Sequence, residues 1–118
     1  MGYGDGDRRK FPRADYSCKV NIFYSEKAVN AVIRNIGAGG ILAEFELETM
    51  RGIPVKMEMY VEGRTIVCNG HIVWLAPRSD SSDRSRIVWD TGIQFDDIEA
   101  EDRVFIRNLV DRLNVESK

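Results

Sequence analysis

The sequence predicts an all-β fold closed by one C-terminal α-helix. Three observations predict it. Short segments alternating apolar and polar residues recur along most of the chain, turn residues separate them, and the apolar period changes from two to 3.6 only after residue 96. Such strands at even spacing form an antiparallel barrel or sandwich, with the helix burying its apolar stripe against it. At 118 residues, with 43% hydrophobic and 31% charged residues, the chain has the length and composition of one soluble core.

The elements follow in order. MGYGDGD, residues 1–7, holds three glycines and no apolar period, and is expected to be a flexible segment preceding a single domain over 8–118. CKVNIFY, 18–24, places Cys18, Val20, Ile22 and Tyr24 on one face, and the polar SEK then turns the chain. AVNAVIRNI, 28–36, is a second strand ended by GAGG, and ILAEFEL, 41–47, a third with Ile41, Ala43, Phe45 and Leu47 aligned. RGIP makes a turn before VKMEMYV, 55–61, where Val55, Met57, Met59 and Val61 alternate with Lys56, Glu58 and Tyr60. Glu62-Gly63 turns into RTIVCNGHIVWLA, which aligns Ile66, Cys68, Gly70, Ile72 and Trp74, the internal glycine marking a bend or bulge. PRSDSSDRS, 77–85, is an exposed loop, and RIVWDTGIQF the last strand. Ile106, Leu109, Val110 and Leu113 then recur at helical spacing, with Ala100 and Val104 or Phe105 extending the stripe and the acidic DDIEAED at its positive end.

Several function classes find no support. No apolar run approaches the ~20 residues of a membrane span, and no signal segment opens the chain, so a cytoplasmic protein without membrane insertion is expected. Cys18 and Cys68 have no metal-ligand spacing and are expected to be buried free thiols. His71, the single histidine, is expected to be an ordinary strand side chain. Catalysis lacks a nucleophile paired with a base, so a non-enzyme is expected, with no metal and no cofactor. Nucleic-acid binding would need more basic surface than a net charge of -2 supplies.

Two segments remain. Arg8, Arg9, Lys10 and Arg13 crowd a stretch bent by Pro12, which fixes its own φ and disfavours helix at Phe11. Alone, such a run is a solvated tail or an anion clamp. NIGAGG, 35–40, leads into a strand and is no dinucleotide fingerprint; Gly37, Gly39 and Gly40 permit positive φ and close approach of a ligand, or else a plain hairpin. Together they suggest two guanidinium forks converging on one ligand, with Asn35 offering an amide. Guanidinium bonds phosphate and the guanine O6/N7 edge and stacks on purines, which fits a guanine nucleotide.

These residues resemble the PilZ domain family, the bacterial receptor module for cyclic di-GMP. RxxxR is Arg9-Lys10-Phe11-Pro12-Arg13, preceded by Arg8, and [D/N]xSxxG corresponds to Asn35 through Gly40. GHIVW, GIQF and the terminal helix resemble later family elements, and the match runs from about residue 8 to 113. The resemblance implies a six-stranded antiparallel barrel with a C-terminal helix, and a receptor whose arginine arm wraps cyclic di-GMP and alters the surface shown to a downstream protein partner. It implies ligand contacts from Arg8, Arg9, Arg13, Asn35, Gly37, Gly39 and Gly40. Trp74 offers a stacking wall, or core packing through its alternation with Ile72; Trp89 is expected in the core. The alternative is a PilZ-fold interaction module that binds no nucleotide. The departure is Gly37 in the family's serine position: one lost neutral hydroxyl contact costs about 0.5 to 1.5 kcal/mol, and somewhat more if it met a phosphate, roughly a tenfold effect on affinity, and Gly37→Ser is expected to leave affinity equal or better.

Overall fold

A computed structural model describes residues 12–116. Six strands, β1 (Arg13–Tyr24), β2 (Lys27–Gly37), β3 (Gly40–Phe45), β4 (Pro54–Val61), β5 (Arg64–Ser79) and β6 (Ile87–Asp97), precede helix α1 (Ala100–Glu116). All six pair antiparallel and close into a barrel in the order β1-β2-β3-β6-β5-β4, with β4 pairing back onto β1 through Val20 to Phe23.

The alternation read from the sequence places the core. Val55, Met57, Met59 and Val61 of β4 point inward, as do Val20, Ile22 and Tyr24 of β1. Two-residue hairpins join neighbours where the sequence supplies positive φ. Ser25 and Glu26 (φ 48° and 62°) link β1 to β2, and Glu62 and Gly63 (φ 49° and 81°) link β4 to β5, the backbone whose twist suits a tight hairpin. The β2–β3 turn is different: among the described glycines the left-handed backbone occurs at Gly52 and Gly63, so Gly37, Gly39 and Gly40 do not use that freedom.

Several boundaries differ from the pattern-based expectation. β1 begins at Arg13, five residues before Cys18, because an irregularity between Asp15 and Cys18 interrupts the alternation there. β5 runs on through Pro77, Arg78 and Ser79, which pair with Trp89, Val88 and Ile87, so the loop shrinks to 80–86. β3 stops at Phe45 and leaves Leu47 half exposed. The expected irregularity at Gly70 is present, between Asn69 and Gly70 against β6.

Helix α1 buries Ile106, Leu109 and Val110 in the barrel core, with Phe105 and Leu113 partly covered. Of the expected upstream extension, Ala100 faces solvent, and of Val104 or Phe105 it is Phe105 that packs against the core while Val104 faces solvent. Polar contacts fix both ends of the helix. Arg64 of β5 reaches Asp102 in its first turn through Nε at 3.0 Å and Nη2 at 2.9 Å, and its guanidinium lies 4.9 Å from the centre of the Phe105 ring. Arg112 donates to Glu62 at 2.6 Å, and Asn114 Nδ2 donates to the Arg13 carbonyl at 3.3 Å. The C-terminal half of α1 is thus tied to the first residue of β1.

Cys18 and Cys68 are free thiols, Cys68 buried and Cys18 half-buried. Burial pushes Cys18 up to about 11, and burial with the nearby Asp102 and Asp97 charges pushes Cys68 up to about 12. Both thiols therefore stay protonated in the fold at a pH where an unfolded thiol ionises. Their contribution to stability is complete below about pH 8.5 and is lost as pH rises toward 11 to 12. Urea midpoints are expected to fall between pH 8 and 10, and a Cys18→Ala/Cys68→Ala variant, although less stable throughout, to fall less steeply.

Candidate functional site

The strand register builds the site in three parallel rows. Ala14, Ile36, Ile41, Ile93 and Ile72 stand side by side across β1, β2, β3, β6 and β5, and all five are buried, none more than 6% exposed. Because side chains alternate, the rows on either side of this ridge face outward. One is Arg13, Gly37, Gly40, Gln94 and His71; the other is Asp15, Asn35, Leu42, Gly92 and Trp74. Three residues expected in the site, Arg13, Gly37 and Gly40, thus lie in one outer row, and two more, Asn35 and Trp74, in the other.

Arg13 and Asn35 meet directly. Arg13 Nη1 donates to Asn35 Oδ1 at 3.3 Å, and Asn35 Nδ2 donates to Asp15 Oδ1 at 3.4 Å. The relay fixes the Asn35 amide, with its oxygen toward the guanidinium and its nitrogen toward the carboxylate. An open groove of about 490 Å³ lies here between β1, β2 and the end of α1, lined by Arg13, Asp15, Asn35, Leu113, Asn114 and Glu116. A second groove of about 630 Å³ shares its Asp15 and Asn35 wall. Guanidinium, amide and carboxylate side by side supply donors for phosphate or guanine O6/N7 and acceptors for guanine N–H groups. Asp15 is the member that sequence reading missed; its place opposite Asn35 depends on a strand start that the period-two pattern does not mark.

The glycines act through close approach, and protein fills the space. A Cβ on Gly37 would stand 2.8 Å from the Pro12 carbonyl oxygen and 3.0 Å from Arg13 Cγ; one on Gly40 would stand 2.2 Å from the Ile93 carbonyl oxygen. Gly37 lets the chain entering β1 lie flat on β2, and Gly40 lets β3 and β6 approach. Gly39 contributes its carbonyl to the amide of Phe95 at 2.9 Å.

Trp74 is not part of the core, although Ile72 two positions earlier is. The register shifts between Ile72 and Trp74, which leaves Val73 as an extra residue and turns the indole outward, 45% exposed. It lies across Gly92, where an added Cβ would be 2.2 Å from Nε1. Of the two readings of Trp74, core packing is thereby excluded. Trp89 is partly buried against the core. His71 remains a strand residue, its Nδ1 2.8 Å from Asp96. Arg8 and Arg9 lie outside the described residues, as does segment 1–7.

Comparison with known proteins then decides the family. The family model "PilZ domain" matches residues 7–112. The chain belongs to the PilZ domain family. Among solved structures, the Bacillus subtilis inhibitor of motility (MotI/DgrA) superposes with a TM-score of 0.77 at 20% identity, covering 94% of this chain and 53% of that one. The PilZ domain with c-di-GMP of YcgR from Escherichia coli superposes with a TM-score of 0.74 at 12% identity, covering 93% and 94%. This PilZ chain therefore spans about half of the MotI chain and nearly all of the YcgR domain. Curated protein sequences include no match.

The contact at Gly37 gives Gly37→Ser a steric cost in the fold, separate from the affinity expected of its hydroxyl. A Cβ 2.8 Å from a backbone oxygen forces the Pro12–Arg13 backbone away from β2, whatever the hydroxyl contributes. Gly37→Ala and Gly37→Ser are both expected to lower stability by about 1 to 3 kcal/mol, and to shift the amide resonances of Arg13 and Asn114. Unchanged shifts at those two positions in both variants would contradict this reading.

Proposed function

We propose that this PilZ domain is a non-catalytic receptor for cyclic di-GMP, and that its N-terminal arginine arm orders on the ligand and changes the surface shown to a protein partner. The observation that carries the reading is the hydrogen-bonded pair of Arg13 and Asn35, the last arginine of RxxxR and the first residue of the NIGAGG turn, on the outer face of the barrel. The arm enters β1 here, and the Asn114 bond to the Arg13 carbonyl joins it to α1. A ligand that draws Arg13 across the groove therefore acts on a junction with the helix. The YcgR domain, with c-di-GMP in its structure, supports the choice of ligand. Arg8 and Arg9 would add guanidinium contacts to phosphate and guanine, Gly39 and Gly40 would border the turn, and Trp74 would offer a face for a purine.

The second reading, an interaction module of the same fold that binds no nucleotide, is favoured by Gly37, which brings no hydroxyl and whose Cβ space is filled by the arm. Calorimetric titration with cyclic di-GMP separates the two. Binding is expected, and Arg9→Ala or Arg13→Ala is expected to weaken it about 10- to 100-fold, the loss of one charge-assisted contact of roughly 1.5 to 3 kcal/mol. Absence of heat with folded protein at about 100 μM ligand, a concentration that detects even weak binding, would favour the second reading.

A further inference from the structure

We propose that Arg34 is a second anion-binding residue of this site, which moves its guanidinium from Glu44 to a phosphate group held in the groove beside Asn35. For cyclic di-GMP the inference rests on the receptor reading above; the anion site itself does not.

Three observations carry it. First, Arg34 occupies the extra position of an irregularity in β2. Asn35 pairs with Leu42 and Ile33 with Ala43, so Arg34 has no partner of its own in that register, and across β1 it faces the interruption at Tyr16 and Ser17. Such a position, unpaired in the locally interrupted ladder, re-aims a side chain next to a site. Second, Arg34 lines the groove of about 630 Å³ formed with Asp15, Tyr16, Ser17, Asn35 and Leu42. Asn35 thus has one guanidinium on each side, Arg13 in one groove and Arg34 in the other. A ligand with two phosphates can engage both, while the Asp15 carboxylate between them suits the N–H edge of a base and opposes phosphate.

Third, the present partner of Arg34 does not need it. Arg34 Nη1 stands 3.2 Å from Glu44 Oε2, with the Arg34 side chain 55% exposed. The same oxygen accepts from Arg78 Nη2 at 2.7 Å, and Arg78 is itself held in a fork by Asp90, with Nε and Nη2 each at 3.0 Å. When Arg34 departs, Glu44 keeps the shorter, better-anchored contact, so no carboxylate loses its counter-charge. An exposed single contact is weak; a phosphate offers guanidinium a stronger, bidentate one.

The test combines calorimetry with NMR detection of the arginine side-chain Nε–H groups, using cyclic di-GMP and inorganic pyrophosphate as separate probes. Arg34→Ala is expected to raise the Kd for cyclic di-GMP about tenfold. Glu44→Gln, which removes the competitor, is expected to tighten binding two- to fivefold, and to lose that effect in the Arg34→Ala background; a merely structural Arg34–Glu44 pair would weaken binding in both variants. Binding of cyclic di-GMP with equal affinity by wild type and Arg34→Ala, the Arg34 Nε–H unmoved, would overturn the role of Arg34 and leave the receptor reading intact. Failure of cyclic di-GMP to bind, with pyrophosphate still shifting the Arg34 Nε–H more than that of exposed Arg107, would support the anion site and overturn the receptor reading. If neither probe moves the Arg34 Nε–H, the inference fails.

Discussion

The buried row from Ala14 through Ile36, Ile41 and Ile93 to Ile72 is the constraint on which the rest of the molecule depends. Each branched side chain is worth roughly 1.5 to 3 kcal/mol when taken out of water, and slipping any strand by one residue would expose its member of the row and bury polar neighbours. Register across five strands is therefore fixed by apolar burial, and the outer rows inherit it. Arg13 comes within bonding distance of Asn35 because the alanine and isoleucine between their rows must face the core. The candidate site is in this sense the reverse side of the hydrophobic core.

Onto this frame the chain adds joints. Tyr16 accepts from the Glu62 amide at 3.1 Å, Glu62 accepts from Arg112 at 2.6 Å, and Asn114 donates to Arg13 at 3.3 Å. The start of β1, the β4–β5 hairpin and the second half of α1 are thereby linked by polar contacts that are mostly exposed, and individually weak. The apolar anchor of the helix, Ile106, Leu109 and Val110, is separate from them. Such an arrangement would keep α1 on the barrel if its contacts with the arm exchanged partners. That is what the proposed coupling between ligand and surface requires.

Much of the fold was legible because burial follows period two in β4, in the second half of β1 and in the first half of β5, and period 3.6 in α1. The PilZ family and its barrel came from the motif text. The illegible parts share one cause: irregular registers. Val73 turns Trp74 outward, Arg34 leaves the β2 ladder, and the interruption after Asp15 hides the true start of β1. No count of alternating residues predicts these shifts, since each depends on the partner strand. The glycine motif left positive φ, close approach and a plain hairpin open, and its part in the fold depends on contacts of Gly37 and Gly40 with Pro12 and Ile93, residues distant in sequence. Asp15 and Arg34 were overlooked because neither forms part of an apolar pattern or of a motif.

The central claim is that one outer face of the barrel, starting at Arg13 and Asn35 and reaching Trp74, receives a guanine nucleotide. Residue-by-residue NMR during a cyclic di-GMP titration tests it most directly. The account predicts that the largest amide shifts fall on Arg13, Asn35 and Gly37, with the Trp74 indole N–H moving and the patch around Asn21 and Tyr60, farther along β1 and on β4, unchanged. Shifts confined to that patch, or no shifts at saturating ligand, would contradict it.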